Sequence, residues 1–272
     1  MRVQTRAAEL SGGGVLVPTM GALHQGHVSL IQLARQCAPG PVVVSVFVNP
    51  TQFNERSDFD RYPRNLDRDA SVAQGAGADI VFAPGVDEVY PPESPVPVPM
   101  LPDVATRPGL EDAGRPGHFA GVCQVVSRLF DLCRPTHAVF GEKDWQQLQV
   151  VRAMVASQHR DVTIVPHPIV REPDGLAMSS RNALLSPEAR RQALVLRRAL
   201  LEAAQASTPE AGEAVMRRIL DRPGVETQYA VVRDAEALEQ WQPGRPGRAL
   251  VCARVGGVRL LDNDAWSPSL GR

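Results

Sequence analysis

Apolar positions in the first two thirds of the chain form short runs separated by longer periodic stretches. Val15-Leu16-Val17 reads as a strand, and residues 26–37 place Val28, Ile31, Leu33 and Ala34 at roughly helical spacing. Residues 42–48 form a second strand, rich in β-branched side chains. The alternation continues with a helix over 65–75, a strand at Asp79-Ile80-Val81-Phe82 and a helix over 121–132. A strand at His137-Ala138-Val139-Phe140, a helix over 146–156 and extended chain at Val162-Thr163-Ile164-Val165 follow. Repeated β-α units predict an α/β fold: a Rossmann-like parallel sheet with helices on both faces.

Two features break the rhythm. Residues 91–108 hold seven prolines, which fit neither a helix interior nor a central strand. They read as an ordered surface flap or as a simple linker. From about Pro168 the pattern changes. A helical, arginine-rich segment over 187–204 is followed by short extended runs at 228–232, 249–255 and 258–261. A smaller α+β C-terminal domain is expected, with the boundaries 1–167 and 168–272.

Composition narrows the function classes. At 272 residues with 43% apolar and 22% charged side chains, the chain has the makeup of a soluble globular protein. Its 29 basic and 30 acidic residues leave a net charge of −1, which argues against nucleic acid or an anionic membrane surface as partner. Apolar stretches such as Ala249-Leu250-Val251-Cys252-Ala253 are too short to span a bilayer. The first fourteen residues lack the apolar stretch of a secretory signal. Cys37, Cys123, Cys133 and Cys252 are scattered, and Cys133 with His137 is too little for a zinc site. Reduced thiols and a cytoplasmic setting are expected.

Lys143 is the only lysine, every other basic side chain being arginine. A position that keeps lysine in such a chain suits a compact ammonium better than a planar fork, although a single residue is compatible with chance.

Three polar clusters could carry chemistry. Strand 15–17 runs into Pro18-Thr19-Met20-Gly21-Ala22-Leu23-His24-Gln25-Gly26-His27 and then into a helix. A loop at a strand's carboxyl end that leads to a helix N-terminus offers backbone N–H groups to a phosphate. His24 and His27, three apart, would share a face of one helical turn. They could bind a metal, though no third ligand is nearby; they could be structural; or they could donate to a phosphate whose charge grows in a transition state. Gly141-Glu142-Lys143-Asp144 follows a strand and carries the sole lysine, and reads either as a phosphate site or as a solvated turn. Met178-Ser179-Ser180-Arg181-Asn182 sets hydroxyls beside a guanidinium, and reads either as a polyphosphate ring or as a helix cap. Three such loops in one chain favour a nucleotide enzyme.

His24-Gln25-Gly26-His27 and Met178-Ser179-Ser180-Arg181 resemble the paired signature motifs of the nucleotidyltransferase and class I aminoacyl-tRNA synthetase superfamily. More closely, six ordered motifs resemble the pantothenate synthetase family. They are 18–24, Val48-Asn49-Pro50-Thr51-Gln52-Phe53, Tyr62-Pro63-Arg64, Arg115-Pro116-Gly117-His118-Phe119, Gly141-Glu142-Lys143-Asp144 and 175–182. Ala253-Arg254-Val255-Gly256 and Arg259-Leu260-Leu261-Asp262-Asn263 fit as well. The likeness departs at Asp112, where the family often has glycine, in the proline-rich stretch before it, and at the polar segment 156–161.

The resemblance implies an ATP-dependent ligase that joins pantoate to β-alanine through a pantoyl adenylate, releasing AMP and pyrophosphate. It implies that Met20, Gly21, Ala22, Leu23, His24, Gln25, Gly26 and His27 form the ATP loop, with His27 as proton donor and His24 beside it on the phosphates. It places Gly141, Glu142, Lys143 and Asp144 on the nucleotide, Lys143 neutralising phosphate charge, with Val170 against adenine. Met178, Ser179, Ser180 and Arg181 are expected to close over the phosphates as a hinged lid. Gln52 and Gln147 would grip pantoate, Gln52 also lying near β-alanine. Mg²⁺ would be held mostly by the ATP phosphates, with Asp69 as the nominated metal carboxylate. A homodimer is the implied assembly. The alternative is a nucleotidyltransferase of the same superfamily acting on a phosphorylated small molecule; a nucleotide sensor without turnover is disfavoured by the presence of His27 and Lys143.

Overall fold

The computed structural model describes residues 1–54 and 56–269. The chain divides into two units, Met1–Glu142 with Gln147–Pro168, and Lys143–Gln146 with Ile169–Arg272. The end of the expected C-terminal domain, 270–272, lies outside the described residues.

The first unit is built on β1 (Arg2–Gln4), β2 (Val15–Thr19), β3 (Val42–Val46), β4 (Ile80–Phe82), β5 (His137–Gly141) and β6 (Thr163–His167). All six are parallel, in the order β1-β4-β3-β2-β5-β6. Edge strand β1 was not expected from the sequence. Three residues at a sheet edge, two of them exposed, leave no apolar periodicity to read.

Helices α1 (Gln25–Cys37), α2 (Arg56–Arg61), α3 (Leu66–Ala76), α4 (Val86–Val89), α5 (Glu111–Gly114), α6 (His118–Cys133) and α7 (Trp145–Ser157) complete the pattern. Ile31 and Ala34 of α1 and Ala70 and Ala73 of α3 pack on Val15, Val17, Val42, Val44, Val81 and Val139 of one sheet face. Strand alternation turns Leu16 to the other face, where α6 lies against β2. The start of α6 presses on the turn Pro50–Gln52. A side chain in place of Gly121 would strike the Thr51 carbonyl, so this glycine is required by close approach.

The departures from the family pattern have local explanations. Asp112 holds its own turn, its carboxylate accepting from the Gly109 and Leu110 amides at 3.0 and 2.8 Å. The polar end of α7 is tied to α6: Ser127 Oγ donates to Gln158 Oε1 at 2.9 Å, and Arg160 pairs with Asp131 at 2.7 Å. The proline-rich stretch turns at Pro91, whose carbonyl accepts from the Ser94 amide at 3.1 Å, and again at Asp103–Ala105.

The second unit carries β7 (Val225–Asp234), β8 (Gly247–Val255) and β9 (Val258–Trp266) as an antiparallel sheet in that order. Helices α8 (Pro187–Ala203) and α9 (Pro209–Leu220) cover one face. Leu196, Leu200, Met216 and Leu220 meet Ala249, Val251, Ala253, Leu260 and Trp266 there. Serine and proline signals begin α8: Ser186 Oγ accepts from the Ala189 amide at 3.1 Å, with Pro187 as first residue. Helix α9 starts in the same way at Thr208, a signal that the sequence reading above passed over.

Lys143–Gln146 goes with the second unit because its contacts are there. Trp145 Nε1 donates to the Ala235 carbonyl at 2.7 Å, and the Arg248 guanidinium lies 3.7 Å from the centre of the Trp145 ring. Burial pushes the thiols of Cys123 and Cys133 up to about 12, so both stay protonated and poorly nucleophilic. Among the described residues no helix is long and apolar enough to cross a membrane.

Candidate active site

In the first unit the chain order reverses between β2 and β5, the position where open parallel sheets bind ligands beyond their carboxyl ends. Pro18 opens that crevice. It lacks an N–H, and β2 pairs with β5 only at Val15 and Leu16 while it pairs with β3 through Thr19. Thr19 Oγ1 donates to the Ser45 carbonyl at 2.6 Å and accepts from the Gly21 amide at 3.1 Å. The loop therefore leaves the strand in a set direction.

Gly21 and Ala22 both have positive φ, 80° and 53°. For alanine this is a strained conformation that the surroundings must hold. Asp69 of α3 holds it, accepting from the Ala22 amide through Oδ2 at 2.9 Å and from the Leu23 amide through Oδ1 at 2.8 Å. A Cβ at position 21 would lie 2.7 Å from Asp69 Oδ2, which explains the glycine. Asp69 is 1% exposed, and each of its oxygens accepts a loop amide. The carboxylate nominated for a metal is thus the anchor of the loop. Among the described residues no group of three or more His, Cys, Asp or Glu could hold a metal ion.

His24 does not sit on the helix beside His27, as the spacing suggested. It is the N-cap of α1, with extended backbone at φ −134° and ψ 179°. His24 Nδ1 accepts from the Gly26 amide at 3.1 Å, and His27 Nδ1 accepts from the His24 amide at 3.2 Å. This is a capping box made of two imidazoles, their rings 4.1 Å apart. A ring nitrogen that accepts an N–H carries no proton of its own. Each neutral ring is thereby the Nε2–H tautomer, a defined donor at a helix N-terminus.

Gln52 closes a polar network. Tyr90 donates its hydroxyl proton to Asn49 Oδ1 at 2.8 Å; Asn49 Nδ2 donates to Gln52 Oε1 at 3.0 Å; and Gln52 Nε2 donates to Met20 Sδ at 3.1 Å. The chain of bonds fixes which end of the Gln52 amide faces Met20. His118 Nδ1 lies 3.0 Å from the Gln52 carbonyl. Burial raises the Tyr90 hydroxyl pKa, against the lowering effect of its bonds to Thr51 and Asn49, so it remains a proton donor. The sequence reading gave Tyr90 no role. A lone tyrosine 41 residues from Asn49 carries no local signal of that partnership. Gln147 lies in α7 and is half-buried.

Gly141 and Glu142 end a segment of the first unit, and the second unit holds the remaining candidates. Lys143 has a side chain 18% exposed, its Nζ 3.5 Å from Asp144 Oδ1, in the turn Glu142–Asp144 that follows Gly141. Met178 N–H donates to the Val170 carbonyl at 2.9 Å, which joins two candidate nucleotide contacts in one hairpin. Ser179 caps the next turn, its Oγ accepting from the Arg181 amide at 3.3 Å. Asn182 is structural, donating to Glu172 Oε1 at 2.6 Å and to the Ala177 carbonyl at 3.0 Å. Arg181 is exposed. The cluster is thus a cap, with Arg181 at the surface.

A family model described as pantoate-beta-alanine ligase matches residues 1–265. The chain belongs to the pantoate–β-alanine ligase family. Pantothenate synthetase of a Nocardioides species is 51% identical over 265 residues, spanning 91% of this chain and 77% of that protein. Pantothenate synthetase of Geobacter sulfurreducens is 46% identical, covering 97% and 94%. The crystal structure of the Thermus thermophilus pantothenate synthetase superposes with a TM-score of 0.88 at 43% identity, over 97% of this chain and 99% of that one. The Francisella tularensis ligase, solved with β,γ-ATP and β-alanine, gives 0.78 at 30% identity over 97% of each chain. Against this family background the six ordered motifs fall on the loop after β2, the Gln52 network, the segment between α2 and α3, the α6 N-terminus, the Lys143 turn and the 170–182 hairpin.

Proposed function

We propose that this chain condenses pantoate with β-alanine at the expense of ATP. A pantoate carboxylate oxygen attacks the α-phosphorus of ATP, the bond to the β-phosphate oxygen breaks, and pyrophosphate leaves. The β-alanine amine then attacks the resulting acyl carbon and loses a proton, AMP departs with the C–O bond electrons, and pantothenate is formed. A free carboxylate is a poor electrophile and its adenylate a good one, so activation is the purpose of the first step. The protein's tasks are positioning and charge stabilisation.

The observation that carries this reading is the imidazole capping box. Two histidines fixed as Nε2–H donors at the N-terminus of α1, where backbone amides add partial positive charge, suit the charge that grows on phosphate oxygens as the α-phosphorus is attacked. His27 is the proposed proton donor and His24 its partner on the phosphates, with Met20 to Gly26 as the backbone cradle. Lys143 supplies a point charge, and Gly141, Glu142, Asp144, Val170, Met178, Ser179, Ser180 and Arg181 are proposed nucleotide contacts. Gln52 is proposed to hold pantoate and to lie near β-alanine; Gln147 is proposed as a second pantoate amide. The β,γ-ATP and β-alanine bound to the Francisella relative support the same pair of substrates here.

For Mg²⁺ the donor set is a poor match to a protein cage. Asp69 accepts loop amides with both oxygens, and among the described residues no acidic cluster accompanies it. The proposed ion would therefore be carried by ATP, and no step is routed through it. Cytoplasmic location and a homodimer are further proposals. Buried free thiols accord with the first and the family likeness with the second, and light scattering of the purified chain tests the dimer.

The deciding experiment is pantoate-dependent exchange of labelled pyrophosphate into ATP without β-alanine, followed by β-alanine addition. Exchange that requires pantoate, then AMP and pantothenate in equal amounts, is expected. Absence of exchange despite ATP binding would overturn the reading and direct the search to a phosphorylated acceptor.

A further inference from the structure

The Arg259-Leu260-Leu261-Asp262-Asn263 motif on β9 has no part in the chemistry above, yet two of its residues are buried and polar, Asp262 at 4% and Asn263 at 2% exposure. Along a strand such neighbours face opposite sides of the sheet. Asp262 shares the parity of Leu260 and Trp266, which belong to the core under α8 and α9. Asn263 therefore faces the other side, opposite Leu250 of β8.

The Asn263 amide is fixed at both ends. Its Oδ1 accepts from Arg248 Nε at 2.7 Å, and its Nδ2 donates to the Lys143 backbone carbonyl at 2.8 Å. A guanidinium can only donate, so the amide cannot flip without facing donor to donor. Arg248 is in turn stacked on Trp145, whose indole N–H donates to the Ala235 carbonyl. The turn that carries the sole lysine is thus gripped at Lys143 and again two residues later.

Asp262 makes the position of Asn263 rigid. Its carboxylate accepts from Arg171 through two bonds of 2.7 and 3.0 Å and from the Asn263 backbone N–H at 2.8 Å. Arg171 belongs to the hairpin in which Met178 N–H meets the Val170 carbonyl. A dipeptide on one strand is hydrogen-bonded on one side to the Lys143 turn and on the other to the hairpin of the remaining nucleotide candidates.

We propose that Asn263 is a positioning residue for ATP: its side-chain amide, locked by Arg248, holds the Lys143 carbonyl and so sets where the ammonium stands. This inference rests on the assignment of Lys143 to the nucleotide. Asn263→Asp isolates the contact, because a carboxylate still accepts from Arg248 but cannot donate to Lys143.

The test is a double-mutant cycle on the full chain, with dissociation constants for a non-hydrolysable ATP analogue measured by calorimetry and thermal unfolding recorded alongside. The four proteins are the wild type, Asn263→Asp, Lys143→Ala and the double variant. Asn263→Asp weakens ATP by about tenfold in the wild-type background, the scale of one lost buried hydrogen bond. In the Lys143→Ala background it changes affinity by less than about twofold, since the group it acts through is gone. The KM for pantoate stays at the wild-type value. Equal weakening in both backgrounds, or none in either while Lys143→Ala alone weakens ATP, overturns the proposal. Wild-type affinity in Lys143→Ala overturns the ATP assignment itself and the proposal with it. If Asn263→Asp does not fold, Asn263→Ala takes its place in the same cycle.

Discussion

The loop after β2 in the first unit and the segment 178–182 in the second carry comparable donors, yet they are held by different means. The first is anchored from within: a carboxylate 1% exposed holds two consecutive amides, one of them on a residue of positive φ, and two imidazoles cap each other. The second is anchored from its rim. Asn182 ties it to Glu172, and Arg190 of α8 pairs with Glu172 at 2.5 Å and with Asp174 at 2.8 Å, on side chains about a fifth to a third exposed. Buried anchoring sets donor directions before substrate arrives, which is the condition for strong electrostatic catalysis. Rim anchoring by partly exposed ion pairs holds a segment less tightly.

The largest expected effect is at the first loop. His27→Ala should lower turnover in the exchange assay by two to three powers of ten, on the order of 3–4 kcal/mol, with little change in pantoate KM. A near wild-type rate would remove His27 from the mechanism and break the contrast. Asp69→Asn comes next. The amide can accept one loop N–H but presents its NH₂ to the other, so a loss of about 1–3 kcal/mol in urea unfolding is expected. Turnover should fall further than stability does, because the strained Ala22 is released. If activity survives while stability falls, the loop does not need its strain.

Ser179→Ala is the matching change in the second unit. Loss of the cap on the Arg181 amide should cost about 0.5–1 kcal/mol in the same measurement, less than Asp69→Asn. A larger cost than at Asp69 would reverse the comparison. The smallest effect is a pH dependence at Glu172. Partial burial pushes its carboxyl up, but hydrogen bonds from Arg190 and Asn182 outweigh this and hold it below the usual range. A depressed folded value means that its stabilisation is present above the unfolded pKa, about 4.3, and is lost as pH falls through the folded value. Urea midpoints followed downward from about pH 7 should therefore decline less steeply below about pH 4.5 in Glu172→Gln than in the wild type. Parallel profiles would show that the rim network contributes nothing in acid.

Much of this molecule could be read from local pattern. Apolar runs predicted β2 to β6 and α1 to within two residues at each end, because a buried parallel strand and an amphipathic helix each leave their period in the chain. The serine and asparagine caps at Ser186 and Asn65 act within three residues, a local signal that the reading of those helices did not use. His24 shows where pattern reading overreached. Two histidines three apart suggested one helical face, but an imidazole can replace serine at an N-cap, and the helix starts one residue later. Asp69, outside every quoted motif and nominated for a metal, has no local sign that its carboxylate accepts the Ala22 and Leu23 amides.

By itself, then, the sequence determined the alternation of β2 to β6 with helices, the resemblance to the family and the short strings from which the proposed site is made. Each of these rests on periodicity or on neighbours a few residues apart. Tertiary structure decided what Asp69, Tyr90 and Asn263 do. Asp69 reaches the amide of Leu23 across 46 residues, Tyr90 reaches Asn49 across 41, and Asn263 reaches Lys143 across 120. Such bonds depend on where the whole chain path returns, and a hydrogen bond a few ångströms long is set by that return, with no trace in the spacing of either partner's neighbours.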